Sequence, residues 1–166
     1  MYHEPDGAVL FLFKDEKREE VFLIFRTDYT VWWFLGGAIE GKELPEDTAL
    51  REAEEETGFK VKLIRRLGIS ERVDKKGKIL NTIYYFEGRK LSGEYTPEYP
   101  GNIGQWFKVN KLPFSIPSIT KKTVEYAANF KGEEFHYQTT KKNLSSNLLV
   151  YLIRPKLLRK YLKDLF

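Results

Sequence analysis

The chain has 166 residues, of which 42% are hydrophobic and 31% charged, with a formal net charge of +4 and no cysteine. This length and composition are typical of one folded domain, and the missing cysteines exclude disulfides, thiolate metal sites and a cysteine nucleophile. Only two histidines could ligate zinc, no apolar run approaches the roughly 20 residues that span a bilayer, and the N-terminus does not resemble a signal peptide. We therefore expect a single domain over residues 1–166, located in the cytoplasm and without a membrane span.

The first third of the chain is predicted to form strands that lead into a helix. Apolar, β-prone runs predict two strands and a short extended segment, at residues 7–13, 21–25 and 32–35. Residues 46–57 then predict a helix, because Pro45 suits its first position, acids favour its N-terminal end and Gly58 is a natural stop.

The rest of the chain predicts more strands and two further helices. We expect a hairpin of two strands at residues 61–69 and 79–86. A Gly/Pro-rich loop at residues 92–104 and a short strand at residues 105–109 should follow. An amphipathic helix over residues 118–130, capped by Ser118, should follow. Residues 135–140 and 148–153 then predict a late hairpin, and residues 155–166 predict a terminal helix. Strands mixed with helices indicate an α/β layered domain, in which the late hairpin and the terminal helix follow from about residue 132.

Acidic residues crowd the first predicted helix and the loop before it. Residues 40–56 hold eight acids and two bases, whereas the rest of the chain carries 26 bases and 16 acids. Glu52, Glu55 and Glu56 have i,i+3 and i,i+4 spacing, which places them on one helix face where like charges repel. A solvated helix laced with surface ion pairs is the alternative, but two bases cannot compensate eight acids. The carboxylates therefore predict a site for Mg²⁺ or Mn²⁺, which prefer oxygen ligands.

The spacing of this segment resembles the Nudix box. Gly37 is followed after five residues by Glu43, after seven more by the run 51–53, and then by the pair 55–56 and by Gly58. The resemblance implies a Nudix-like α/β/α sandwich with a mixed sheet. It also implies a divalent-metal-dependent pyrophosphohydrolase that cleaves a nucleoside diphosphate linked to a moiety X. A dinucleoside polyphosphate or a nucleoside triphosphate is favoured over a sugar nucleotide.

The resemblance also assigns expected roles to residues of the box. Glu55 and Glu56 would be the principal metal ligands, and Glu52 a metal ligand or the base for the attacking water. The Gly36 carbonyl would be a further ligand. The roles of Gly37 and Gly58 would be structural, and Glu43 and Arg51 would form an ion pair that orients the loop on the helix. A further carboxylate could come from outside the box, from Glu98 or Glu94 in the Gly/Pro-rich loop or from Glu87.

The substrate side and the partners are less strongly indicated by the sequence. Arg26 could contact a phosphate, and Trp33 and Tyr85 could line a slot for a base, although core packing is the more usual role of such aromatics. The C-terminal stretch from residue 141 carries seven bases and one acid. It could bind RNA or an anionic membrane, but we favour core packing or a possible homodimer. The alternative function is a catalytically silent Nudix-fold module that binds nucleotides or RNA without turnover.

Overall fold

The computed structural model of the chain describes residues 5–140, so the predicted strand 148–153 and helix 155–166 lie outside the described part. That part forms eight strands, two α-helices and a short 3-10 turn at residues 109–111. The elements, in chain order, are β1 (Gly7–Phe13), β2 (Glu20–Arg26), β3 (Val31–Trp33), β4 (Leu35–Ala38), α1 (Pro45–Thr57), β5 (Lys60–Val73), β6 (Ile79–Ser92), β7 (Ile103–Lys108), α2 (Ser118–Ala128) and β8 (Phe135–Thr139).

All eight strands belong to one mixed sheet that is centred on β1 and β6. The main path of the sheet runs β3-β2-β1-β6-β5-β8, with β4 paired to β1 and β7 paired to β2. β1 and β6 are parallel, and β5 and β6 form a long antiparallel hairpin. Gly36 of β4 lies opposite Val9 of β1, so the glycine pair that precedes the acidic segment is fixed at the N-terminal end of the central strand.

The two helices cover opposite faces of the sheet. Alternate residues of β1 point to the two faces, and all seven are buried. Leu10 and its neighbours pack with Ala49 and Ala53 of α1, whereas Phe11 packs in a second cluster with Val124 of α2. This arrangement is the α/β/α sandwich expected from the sequence. None of the helices in residues 5–140 has the length and apolarity that a membrane crossing requires.

Four elements differ from their sequence-based predictions. β5 and β6 extend several residues further than the predicted strands, because cross-strand pairing carries both through charged segments that are poor strand formers alone. Ser118 is the first helical residue of α2 and not its cap; Pro117 precedes it, and no side chain caps the helix. β8 pairs in parallel with β5. The predicted antiparallel partner of β8 lies beyond the described residues.

The ends of α1 follow the local sequence signals. Pro45 occupies the first turn, where a missing N–H costs no hydrogen bond, and Glu46 and Asp47 lie at the positive end of the helix dipole. Gly58 ends the helix in the left-handed region with φ of 72°. A side chain at Gly58 would also contact the backbone of Glu94, 2.9 Å from its oxygen, so the helix end and the Gly/Pro-rich loop are closely packed.

Candidate active site

The acidic face of α1 lies directly against the glycine pair of β4. The Gly36 N–H donates a hydrogen bond of 3.0 Å to Oε2 of Glu56. A Cβ atom at Gly37 would lie 2.3 Å from the carboxylate carbon of Glu52, so a side chain there would displace that carboxylate. The structure thus brings Glu52, Glu56, Gly36 and Gly37 together at one point.

Arg51 connects the other carboxylates of the acidic segment. Its Nε lies 2.7 Å from Oε1 of Glu43, and its Nη1 lies 2.9 Å from an oxygen of Glu52 and of Glu55. Nη2 of the same group donates to the Ala38 carbonyl, which ties the helix to the end of β4. One guanidinium therefore contacts three carboxylates and leaves a formal excess of two negative charges.

The Glu43 carboxylate joins the loop before α1 to the helix. Besides Arg51 it accepts hydrogen bonds from Thr48 Oγ1 and from the Glu40 N–H. The hydrogen bonds from Arg51 and Thr48 lower the pKa of Glu43 to about 2. Glu43 and Arg51 thus form the contact expected of an orienting pair. Glu54, one residue before Glu55, is exposed and pairs with Lys60, away from this network.

Negative charge is concentrated around Glu52 and Glu56. The pKa of Glu56 is raised to about 8, chiefly by burial; the charges of Glu52 and Glu98 contribute to the rise, whereas the Gly36 N–H and Arg26 oppose it. Burial likewise raises the pKa of Glu52. The structure therefore places Glu98, from the Gly/Pro-rich loop, within electrostatic reach of both helix carboxylates.

The loop that carries Glu98 is fixed at both ends. Near α1, the Thr96 N–H donates to the Thr57 carbonyl at 2.8 Å. Near β2, Asn102 Oδ1 accepts hydrogen bonds from the N–H and the hydroxyl of Thr27, both 3.2 Å long. Together these contacts hold Glu98 beside the acidic face of α1.

The other two proposed loop acids lie elsewhere. Glu94 is exposed, and its backbone oxygen packs against the end of α1 at Gly58. Glu87 is fully buried in the middle of β6 and ion-paired with arginines on the sheet face that α2 covers. The structure therefore contradicts Glu87 as a further acid of this site, because no part of its carboxylate can reach α1 across the sheet.

The three predicted substrate residues lie in two places. Arg26, at the end of β2, is close enough to Glu56 to lower its pKa, and its guanidinium pairs with Asp28. Trp33 and Tyr85 line a cleft of ≈ 320 Å³ beside Gly36 and Gly37. Tyr85 is only 7% exposed and bonds to the Ser70 and Tyr137 hydroxyls, so packing is a large part of its role.

Two tyrosines that contact Arg26 or Glu98 were not predicted from the sequence. Tyr99 is 56% exposed and forms a hydrogen bond with Glu98, which raises the pKa of its own hydroxyl. The Arg26 guanidinium lies over the Tyr29 ring, with its central carbon 5.1 Å from the centre of that ring. Both lie in turns or loops without periodicity, and only their proximity to Arg26 and Glu98 in the sequence could have indicated them.

The donor set suits a hard divalent cation. Glu52, Glu56 and Glu98 offer only oxygen atoms, and the missing side chain of Gly37 lets the Glu52 carboxylate lie against the backbone. Within residues 5–140, no three acidic, histidine or cysteine side chains converge on one point as they stand. Glu52 and Glu55 are turned toward Arg51 instead. The residues fit Mg²⁺ or Mn²⁺ by chemistry and position, after rotation of these side chains.

Comparisons with known proteins agree with this geometry. A family model described as NUDIX domain matches residues 3–129. The chain is 36% identical over 106 residues to diphosphoinositol polyphosphate phosphohydrolase 2 of Mus musculus. The matched stretch covers 61% of this chain and 57% of that protein. The chain thus spans little more than half the length of that relative.

Solved structures show the same fold. A NUDIX hydrolase from Nitrosomonas europaea has a TM-score of 0.62 at 16% identity, with 84% of this chain and 82% of that chain covered. An ADP-ribose pyrophosphatase from Streptococcus suis has a TM-score of 0.59 at 20% identity, with 80% and 97% covered. These likenesses confirm the predicted α/β/α sandwich with a mixed sheet.

Proposed function

This chain belongs to the Nudix family, and from that premise we propose that it is a divalent-metal-dependent hydrolase of a phosphoanhydride bond. The observation that carries the proposal is the position of Glu52 and Glu56 against the Gly36–Gly37 backbone. A binding module without turnover would not need to retain every carboxylate of the box, and all of them are present here.

The proposed chemistry divides between the ion and the chain. A bound Mg²⁺ or Mn²⁺ would neutralise diphosphate oxygens and lower the pKa of a coordinated water. Glu52, Glu55 and Glu56, with the Gly36 carbonyl, would hold it, and Glu52 or Glu98 would accept the proton of the attacking water. Such cleavage needs mainly charge stabilisation and in-line positioning. Arg51 has a positioning role, since its contacts fix the glycine loop relative to the helix.

We propose a nucleoside diphosphate linked to X as the substrate class, with a dinucleoside polyphosphate or a nucleoside triphosphate favoured. Tyr99 contacts Glu98, Tyr29 packs against Arg26, and Trp33 lines the cleft beside Gly36 and Gly37. Flat aromatic surfaces suit a base, with Arg26 placed for a phosphate. The second candidate is a diphosphoinositol polyphosphate, which the name of the mouse relative supports.

The test is a substrate panel with Mg²⁺ and a matched pair of variants. Release of phosphate or pyrophosphate is measured for nucleoside triphosphates, dinucleoside polyphosphates, sugar nucleotides, capped RNA and a diphosphoinositol polyphosphate. We expect turnover of at least one class to fall by about 10³-fold or more in Glu56→Gln, since a metal ligand is removed. Glu54→Gln should retain full activity, because Glu54 pairs with Lys60 outside the site.

Two results would contradict the hydrolase proposal. Inertness of the wild-type protein across the whole panel, together with tight binding of a nucleotide or RNA, would favour the silent binding module. Full turnover in excess EDTA would remove the role of the cation. The cytoplasmic location and the possible homodimer stay predictions.

A further inference from the structure

A second charged cluster lies on the sheet face opposite α1, at the other end of β1 and β6. Its centre is Glu87, which is fully buried. Three guanidinium groups surround this carboxylate, with nitrogen–oxygen distances of 3.0 Å for Arg18, 3.2 Å for Arg65 and 2.6 Å for Arg89. We call these four residues the arginine cluster. It carries a formal excess of two positive charges.

No second carboxylate within residues 5–140 forms an ion pair with these arginines. Every ion pair that these arginines make within residues 5–140 goes to Glu87. Lys62 lies opposite Arg89 in the β5–β6 pairing, on the same face, and adds a further positive charge. Residues 141–166 carry seven bases and one acid, so they are a poor source of negative charge. Arg18 and Arg89 are only 14% and 15% exposed, and buried charge without a counterion is costly.

The guanidinium groups also retain donor capacity. Nε of Arg89 is buried without a hydrogen-bond partner, and Oε2 of Glu87 is near two guanidinium nitrogens but in hydrogen-bond geometry with neither. Arg65 is 45% exposed, so the cluster is open to solvent on its side. Guanidinium groups are planar donors that can bind phosphate oxygens in pairs.

The backbone is bent locally to form this cluster. The β5–β6 pairing shifts register between Leu63 and Arg65, and this irregularity turns Arg65 toward Glu87. Arg18 adopts φ of 54°, an uncommon value for a residue with a side chain, while its Nη1 donates to the Phe130 carbonyl at 3.2 Å. Such irregular backbone is frequent where a ligand is held.

We propose that the arginine cluster is a second anion site, which takes the phosphate groups of a short polyphosphate or phosphorylated small molecule. It is distinct from the carboxylate site. Glu87 and Arg89 lie opposite Phe11 and Phe13 of β1, whereas the glycine pair lies opposite the start of that strand on the α1 side. A phosphate would approach the exposed guanidinium of Arg65 and bridge it to Lys62, with the positive charge of Arg18 and Arg89 behind them.

The test measures binding of tripolyphosphate by calorimetry to the full chain in EDTA. Without divalent metal no turnover is measured, so the result is independent of the proposed hydrolase activity. We expect saturable binding that weakens with salt and falls at least 10-fold in Arg65→Ala. Arg66→Ala is the matched control, because Arg66 is 47% exposed, neighbours Arg65 and pairs with Glu134 instead; its affinity should stay within about 2-fold of wild type.

Three outcomes would overturn the second anion site. The first is the absence of tripolyphosphate binding to the wild-type chain, or binding of a single-stranded RNA alone. The second is equal weakening in Arg65→Ala and Arg66→Ala, which would indicate only the general positive field. The third is loss of tripolyphosphate binding in Arg26→Ala while Arg65→Ala binds as tightly as wild type. That result would place the anion at the carboxylate site.

Discussion

The two ends of the central strands carry opposite arrangements of charge. At the glycine end, one guanidinium, that of Arg51, contacts three carboxylates. At the other end, one carboxylate, that of Glu87, contacts three guanidinium groups. Each end therefore has a formal excess of two charges, negative near α1 and positive on the α2 side. An excess of each sign is best compensated by an external ion of the opposite sign, a divalent cation at one end and a phosphate at the other.

The burial of the central group differs between the two ends, and that difference separates function from stability. Arg51 is 25% exposed and its carboxylates are partly exposed, so they can turn from the guanidinium to a cation. Glu87 is fully buried and cannot turn away. Changes at the carboxylate end should therefore affect turnover first, whereas changes at Glu87 should affect folding first.

The largest effect that would sharpen this contrast is expected from Glu52→Gln. The substitution keeps the shape of the side chain but removes a negative charge beside Gly37 and a candidate proton acceptor. Loss of such a group lowers kcat by about 10²–10⁴-fold. Steady-state kinetics with Mg²⁺ measure it, while the urea midpoint should change little. Glu46→Gln, on the exposed first turn of the same helix, is the control. If Glu52→Gln has the kcat of the wild type, Glu52 is not the proton acceptor, and Glu98 becomes the candidate for that role.

The next largest effect is expected from Glu87→Gln, on stability. Removal of one partner from a buried ion pair leaves uncompensated charge and costs about 3–5 kcal/mol of unfolding free energy. Urea unfolding at neutral pH measures this loss. Glu134→Gln is the comparison, because Glu134 pairs with Arg66 where both side chains are more than 40% exposed; exposed pairs contribute about 0–1 kcal/mol. Equal losses in both variants would contradict a special role for the buried carboxylate.

The sequence predicts the two ends unequally. The α1 end was predictable because its signals are local: Pro45 and Gly58 delimit the helix, and a 23-residue spacing carries the box. The arginine cluster joins residues 18, 65, 87 and 89, which only the pairing of β1, β5 and β6 brings together. The charged second half of β6 was not predicted as strand, because residues such as glutamate, glycine and lysine are depleted in strands. Its conformation comes from tertiary pairing, which no local pattern encodes.

A smaller effect is expected from the loop that completes the carboxylate end. Glu98→Gln removes a charge that reaches both Glu52 and Glu56, and we expect kcat to fall by about 10-fold or more at limiting Mg²⁺. Glu94→Gln, in the same exposed loop, should leave kcat unchanged because its backbone packs on Gly58 away from the site. Kinetics across a Mg²⁺ titration distinguish the two. Identical curves for both variants would show that Glu98 takes no part in metal binding or proton transfer.

The smallest effect is expected from Glu43, and it depends on pH. Its pKa is about 2 in the folded chain against an ordinary value of 4.5, because Arg51 and Thr48 donate hydrogen bonds to the charged form. A carboxyl with a lowered folded pKa stabilises the fold above about pH 4.5 and loses that contribution as the pH falls toward 2. The difference in unfolding free energy between wild type and Glu43→Gln should therefore be largest at pH 6 and shrink steadily at pH 4 and pH 3. Glu16→Gln, which changes an exposed glutamate on the β1–β2 turn, is the control variant. A constant difference across this range would mean that Glu43 stabilises the loop through shape alone. Packing, and not charge, would then hold the loop before α1 on the helix.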